Sequence, residues 1–317
     1  FVMTYSTLAS IVKYPYTSGH KGKNGKFGFF RAEEESYLRI AKELGIKELK
    51  AEEGERSFVR YPLVYLVEAA DDICYEIMDI EDAHKLKILT TEETTNLLLA
   101  YFDREKQEHI KDRMKTLDDN NEKVVYLRSC VINLLENECV RVFVEHEEEF
   151  QEAVLCDGAI VWHGQQYHEL TFAPQDASAT FSLSDVAIGI DFHWQRLQTQ
   201  TFCGSLIGNI SETAMLAYKE CEKVSYGRIY HSKDVVDIEI AGYKVISTLM
   251  DLMVEAVTHP DRQYSRLLLN RVSYQYEMQA PTLYGRLMAV LDYISGMTDV
   301  YALDVYRKIN GMKIPTL

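Results

Sequence analysis

Proline and glycine are scarce in this chain, 6 and 16 among 317 residues. So few turn-formers count against a strand-and-turn architecture and favour long helices. The six cysteines (Cys74, Cys130, Cys139, Cys156, Cys203 and Cys221) form no CxxC pair and no regular framework. Their thiols therefore read as small core or surface residues of a protein kept in a reducing, cytoplasmic compartment. No run of 18 apolar residues occurs and no signal peptide is visible, so no membrane partner is expected. Basic residues are outnumbered 34 to 49, for a formal net charge of -15, which counts against general coating of nucleic acid. The chain opens on Phe1 inside a helical pattern and without an initiator Met, so the expectation is a truncated amino terminus.

What is present is 47% hydrophobic and 26% charged, ample for a core in one large domain or two smaller ones. The acids are not spread evenly. Residues 1 to 31 contain no Asp or Glu, yet carry Lys13, Lys21, Lys23, Lys26 and Arg31. In "SGHKGKNGKFG", Gly19, Gly22, Gly25 and Gly28 alternate with the lysines. Glycines let a backbone approach a ligand closely, and lysines supply point charges suited to phosphate oxygens. The segment reads either as an anion site or as a mobile basic surface loop. It is not a P-loop, because no Gly lies five residues before Gly25 and Phe27 stands where Ser or Thr is required.

The acids that do appear show one informative pattern. In "EAADDICYEIMDIED", residues 68 to 82, Asp71, Tyr75, Asp79 and Asp82 follow at steps of four, four and three. An ideal helix holds them within an arc of roughly 80°. Leu66, Ala69, Ala70, Ile73, Ile77 and Ile80 fall on the opposite side, which predicts a buried face. The carboxylates face either water or a ligand.

Helices are predicted over about 3–13, 31–44, 61–88, 92–101 and 104–149, the last broken near 117–121. Thr90 and Glu93 can form a capping box at the start of the fourth. Helical pattern returns over 205–229, 233–258, 262–278 and 282–310, with Pro260 just past the second of these. Residues 153–203 differ: they are rich in β-branched and aromatic residues and hold both tryptophans, Trp162 and Trp194. His163, His168 and His193 lie there at spacings that match no standard metal-ligand pattern.

Several stretches together resemble the deoxyguanosine triphosphate triphosphohydrolases, members of the HD-domain phosphohydrolase superfamily. They are "YPLVYLVEAADDICYEIMDIEDAHK" (61–85), "LASIVKYP" (8–15), "GKFGFF" (25–30), "AGYKVISTLMDL" (241–252) and "DYISGMTDVYALDVYRKING" (292–311). The resemblance implies a mainly α, HD-domain-like helical bundle with a small β-rich insertion. It further implies hydrolysis of dGTP or another dNTP to the deoxynucleoside and tripolyphosphate, with a divalent cation, Mg²⁺ or Mn²⁺, and a homo-oligomeric state. By resemblance Asp71 is a metal ligand, Tyr75 packs against the sugar and Asp79 accepts from the 3′-hydroxyl. Lys13, Tyr14 and Lys26 resemble phosphate and sugar contacts, while Asp72 and Asp82 read as cap, ion-pair or supporting residues.

Two departures stand out. The family has a His and then an adjacent His-Asp pair upstream of "KYP", and none of the nine histidines here is followed by Asp. The expectation is that three of four metal ligands are absent and that this chain alone is inactive. Residues 153–203 instead resemble part of the sporulation stage II protein D and amidase-enhancer family. A chimeric join is preferred there over an inserted domain. The implied organisation is 1–152 as hydrolase core, 153–203 as the β-rich segment and 204–317 as the helical carboxy-terminal region. The alternative reading is a non-catalytic nucleotide-binding or oligomerisation module. A third, a cell-wall-associated protein led by 153–203, is disfavoured by the missing secretion signal.

Overall fold

A computed structural model describes residues 3–18, 25–49, 56–146, 202 and 204–312. Almost all of the β-rich stretch expected at 153–203 lies outside the described residues, as do Lys21, Lys23 and the loop glycines Gly19 and Gly22. The fold is mainly α, and the one sheet among the described residues is a pair of two-residue strands. The chain divides into two compact units, Phe1–Gly227 and Arg228–Leu317. Among the described residues no helix is long and apolar enough to cross a membrane.

The first unit is organised around one long helix. In chain order its elements are α1 (Tyr5–Ser10), α2 (Glu34–Leu44), β1 (Glu48–Leu49), β2 (Ser57–Phe58), α3 (Leu63–Lys85), α4 (Thr91–Leu99), α5 (Arg104–Met114), α6 (Asn120–Glu145) and α7 (Glu212–Val224). Helix α3 packs chiefly along α6, with α1, α4 and α7 also against it. Its apolar stripe Ala69, Ile73, Ile77 and Ile80 is buried, as the spacing predicts. Helix α6 answers with Val124, Leu127, Val131, Leu135, Cys139 and Val142, a stripe at steps of three and four.

Four residues correct the pattern-based reading of α3. Ala70 is exposed and Leu66 only half-buried, although both fall in the predicted apolar arc. Glu76 and Glu81, outside that arc, are buried. The cause is length. At 23 residues α3 runs about 35 Å, so different neighbours cover it in succession and the buried face drifts around the axis. It closes with the Ile88 N–H donating to Ala83 O at 2.8 Å, and Lys87 takes the left-handed φ of 60° that this closure requires.

Boundaries follow the local chemistry. The Glu93 N–H donates to Thr90 Oγ1 and the Thr90 N–H to Glu93 Oε2, so the expected capping box forms. The predicted break near 117–121 is real: Asp119 accepts from the Asn121 and Glu122 N–H groups and starts α6. Helix α1 is shorter than the 3–13 expected, because Thr4 caps it and accepts from the Thr7 N–H. The helix predicted over 205–229 is interrupted, with 3₁₀ geometry at Ile207–Asn209, α7, and a π-helical turn at Ser225–Ile229.

The second unit consists of α8 (Lys233–Thr258), α9 (Gln263–Arg271), α10 (Leu283–Ser295) and α11 (Asp299–Ile309). Leu249, Met253, Ala256 and Val257 of α8 pack with Leu268, Val290, Tyr293, Ile294 and Val305. Helix α8 matches the predicted 233–258. The single helix predicted over 282–310 is two, because Thr298 accepts from the Tyr301 N–H at 3.3 Å and begins α11 as a separate helix. The segment predicted over 262–278 is helical only to Arg271.

Buried Glu81 is the polar tie between α3 and α6. Its carboxylate accepts from Arg128 at 2.6 Å and from Lys85 at 2.7 Å. Removing it leaves a partly solvated guanidinium against the core. Glu81→Ala is therefore expected to lose about 2–3 kcal/mol in chemical denaturation, and Glu81→Gln clearly less; equal losses would show that packing, not charge, sets the cost.

Candidate functional site

Two tripeptides of the same make-up, "KYP" at 13–15 and "RYP" at 60–62, lead into the site. Proline ends each with a fixed φ and no N–H, so that residue can accept but not donate a main-chain hydrogen bond. The first is pinned by the strand pair. Phe58 N–H donates to Pro15 O at 2.8 Å, Thr17 N–H to Arg56 O at 3.1 Å and Gly28 N–H to Tyr16 O at 3.1 Å. Beneath them Phe29 stacks on Tyr37 with centroids 4.3 Å apart, and Phe58 meets Tyr37 edge-on at 5.1 Å. The stacked rings anchor an otherwise irregular segment.

Gly28 explains why the basic loop is glycine-bearing at this point. A Cβ there would stand 2.2 Å from Tyr14 O and 2.6 Å from Val12 Cγ1. The "GKFG" segment can cross the "KYP" turn only without a side chain at Gly28. The crossing brings Lys26 Nζ to 5.6 Å from the centre of the Tyr14 ring, and Tyr14 lies 6.1 Å from Tyr16. Thus three of the six sequence-predicted residues, Lys13, Tyr14 and Lys26, are drawn together.

The other three lie on α3. Asp71 is exposed, Tyr75 is 67% exposed and Asp79 is half-buried. The link between the two groups is a residue that periodicity alone did not single out, Glu68. Lys13 Nζ approaches Glu68 Oε1 at 2.9 Å, and Arg60 Nη1 approaches Glu68 Oε2 at 3.0 Å. On a helical wheel Glu68, Asp72, Tyr75 and Asp79 share an arc of about 60°, which Asp71 widens to about 100°. Lys13 is therefore docked at the amino-terminal end of the acid-and-tyrosine face. Arg60 was also missed, though the repeated basic-Tyr-Pro string would have found it.

Electrostatics agree with the contacts. Burial alone would lower the Lys13 ammonium, but the hydrogen bond and charge of Glu68 outweigh it and hold the pKa above its usual value. Burial would raise Glu68; the charge of Arg60 and the contact with Lys13 reverse that and hold its carboxyl below the usual range. Asp72 is pushed up to about 6 by burial, against the pull of Lys13 and with help from Glu68 and Asp71.

Beside this face, about 40° around the wheel from Asp72, sits Glu76, only 7% exposed. Ser225 Oγ donates to its Oε1 at 3.0 Å, and the Tyr218 hydroxyl donates to the main-chain oxygen of Asp72 at 3.4 Å. Burial pushes Glu76 up to about 7; the Ser225 hydrogen bond opposes this, while Glu222 and Asp79 add to it. No three His, Cys, Asp or Glu side chains converge as a metal site among the described residues. Asp71 stands as a single carboxylate on α3, and a divalent ion takes several donors.

The Phosphohydrolase-associated domain family matches residues 209–308. Over 326 aligned residues the chain is 26% identical to a Pseudomonas aeruginosa protein called deoxyguanosinetriphosphate triphosphohydrolase-like, covering 99% of this chain and 61% of the relative. A Synechocystis sp. protein of the same name is 26% identical over 98% of this chain and 60% of its own length. The Yersinia pestis protein called deoxyguanosinetriphosphate triphosphohydrolase is 27% identical over 97% of this chain and 60% of its own. The chain thus spans about 60% of the length of the curated relatives it matches.

The raised acids have a consequence for stability. The folded chain keeps a proton on Glu76 until about pH 7, where the unfolded chain gives it up near 4.5. Folding is thus favoured below the lower value, and that advantage is lost as pH rises through the higher one, on the order of 3 kcal/mol. Urea midpoints should fall between pH 5 and pH 8, and Glu76→Gln, which mimics the protonated acid, should flatten most of that fall. The same pH slope in Glu76→Gln as in wild type would refute the placement.

Proposed function

We infer that this chain, similar over nearly its whole length to proteins called deoxyguanosinetriphosphate triphosphohydrolase-like, is of that family of HD phosphohydrolases and binds a deoxynucleoside triphosphate for hydrolysis. The observation that carries this reading is the docking of Lys13 on the α3 face that holds Asp71, Tyr75 and Asp79, with Lys26 and Tyr14 beside it.

In this reading water attacks the α-phosphorus and the bond to the 5′-oxygen breaks. The products are the nucleoside, which takes up a proton at that oxygen, and intact tripolyphosphate. Lys13 and Lys26 neutralise phosphate oxygens, a role for which a compact ammonium on a flexible stem is suited. Tyr75, exposed on the helix, packs its ring on the sugar, and Asp79 one turn on accepts from the 3′-hydroxyl. A ring lying close on the sugar leaves little room for a 2′-hydroxyl, so GTP is disfavoured against dGTP. Asp71 is the one residue proposed to donate to a divalent cation, Mg²⁺ or Mn²⁺, whose chemistry when bound is to polarise the phosphate. A homo-oligomer is proposed with it.

Calorimetric titration of the purified 317-residue chain with dGTP, GTP and tripolyphosphate tests this. Lys13→Ala should weaken dGTP and tripolyphosphate about tenfold, the loss of one charge-assisted contact. Tyr75→Ala should narrow the gap between dGTP and GTP. Equal affinity of wild type and Lys13→Ala for both phosphates would overturn the reading.

A further inference from the structure

Glu68 is shared by two cations that are not equivalent. Arg60 engages it with both terminal nitrogens, Nη1 to Oε2 at 3.0 Å and Nη2 to Oε1 at 3.4 Å. Its third nitrogen, Nε, donates to the main-chain oxygen of Lys13 at 3.0 Å. The guanidinium also lies 5.3 Å from the centre of the Tyr65 ring, which meets Phe202 edge-on. With all three nitrogens and one face engaged, Arg60 is not positioned to leave. Lys13 holds Glu68 through one point contact, and its side chain is 38% exposed against 14% for Glu68. Such an ammonium can exchange one anionic partner for another without rupture of a fork.

We propose that Arg60 is a positioning residue: it ties the main chain of Lys13 to α3 through Glu68 and leaves the Lys13 ammonium free to pass from Glu68 to a ligand phosphate. The inference rests on the nucleotide-binding reading above for its ligand, but not for the tie itself. When Lys13 departs, Glu68 is still neutralised by Arg60, so the exchange strands no half-buried carboxylate. Without the Nε contact the "KYP" turn keeps its ladder to β2 but loses its main-chain tie to the helix bearing Tyr75 and Asp79, leaving only the Lys13 side chain on Glu68. Lysine cannot substitute, because it has no planar fork to reach a carboxylate and a carbonyl together.

The test joins a ligand-free readout to a binding cycle. In Arg60→Lys, amide hydrogen exchange across residues 13–17 should rise while thermal unfolding shifts by no more than a few degrees. Affinity for dGTP and tripolyphosphate should fall about tenfold, with affinity for deoxyguanosine unchanged. In a Lys13→Ala background the same substitution should add nothing further, since Arg60 acts through Lys13. Additive losses, or a matching loss for deoxyguanosine, would make Arg60 a general structural residue and sink the proposal. Unchanged exchange in Arg60→Lys would sink it whatever the ligands do. If exchange rises but wild type binds no phosphate ligand better than the nucleoside, the ammonium transfer and the nucleotide reading fall together, and only the structural tie survives.

Discussion

Glu68 has one half-buried carboxylate and two cations to satisfy, and the arrangement of the first unit turns on how it divides itself. Its oxygens accept from Lys13, out of a turn near the amino terminus, and from Arg60, at the entrance to α3. Arg60 stands just before α3 and Lys13 just after α1, which packs on α3, so the chain brings both segments close and the triad fixes their side chains. A carboxylate of this burial would be costly if left alone, and either cation would be poorly placed without it. The ion triad thus makes this turn part of a face, and Lys13, proposed to meet phosphate, sits there because the triad does.

The same helix keeps a second acid for the opposite purpose. Glu76 follows Tyr75 in sequence and points into the unit, where Ser225 donates to it and no cation is among the groups that shift its titration. Glu68 is held ionised by charge, and Glu76 is held protonated by burial. Two carboxylates two turns apart therefore differ in state because their surroundings differ, not their chemistry. Glu81, a turn further on, returns to the first solution with Arg128 and Lys85. Along 23 residues, α3 alternates between acids that anchor and an acid that is merely accommodated.

Much of the helical framework was legible in advance. The stripe Ala69, Ile73, Ile77 and Ile80, the Thr90–Glu93 box and the span of α8 follow from spacing and side-chain chemistry that act within a few residues. What failed depended on neighbours. Ala70 was misplaced and Glu76 and Glu81 overlooked, because a wheel assumes one uniform cover along the whole helix. The break at 296–298 was missed since nothing in "SGMTD" forbids helix; Thr298 simply serves better as a cap. For the site, periodicity put Asp71, Tyr75 and Asp79 on one face but said nothing of Lys13, Tyr14 or Lys26. Their link to that face came from family resemblance, and its physical means, Glu68 and Arg60, lies in contacts between segments 47 and 8 residues apart in sequence.

Gly28 settles something that residue counting cannot. Lys26 reaches the Tyr14 ring because the chain two residues later must squeeze against Tyr14 O and Val12, a fit that excludes any side chain. The lysine is therefore indexed from its carboxy-terminal side. However many residues join Ser18 to Gly25, the crossing point stays where it is. A change of loop length would then shift the count of residues between Lys13 and Lys26 while leaving Lys26 beside the Tyr14 ring.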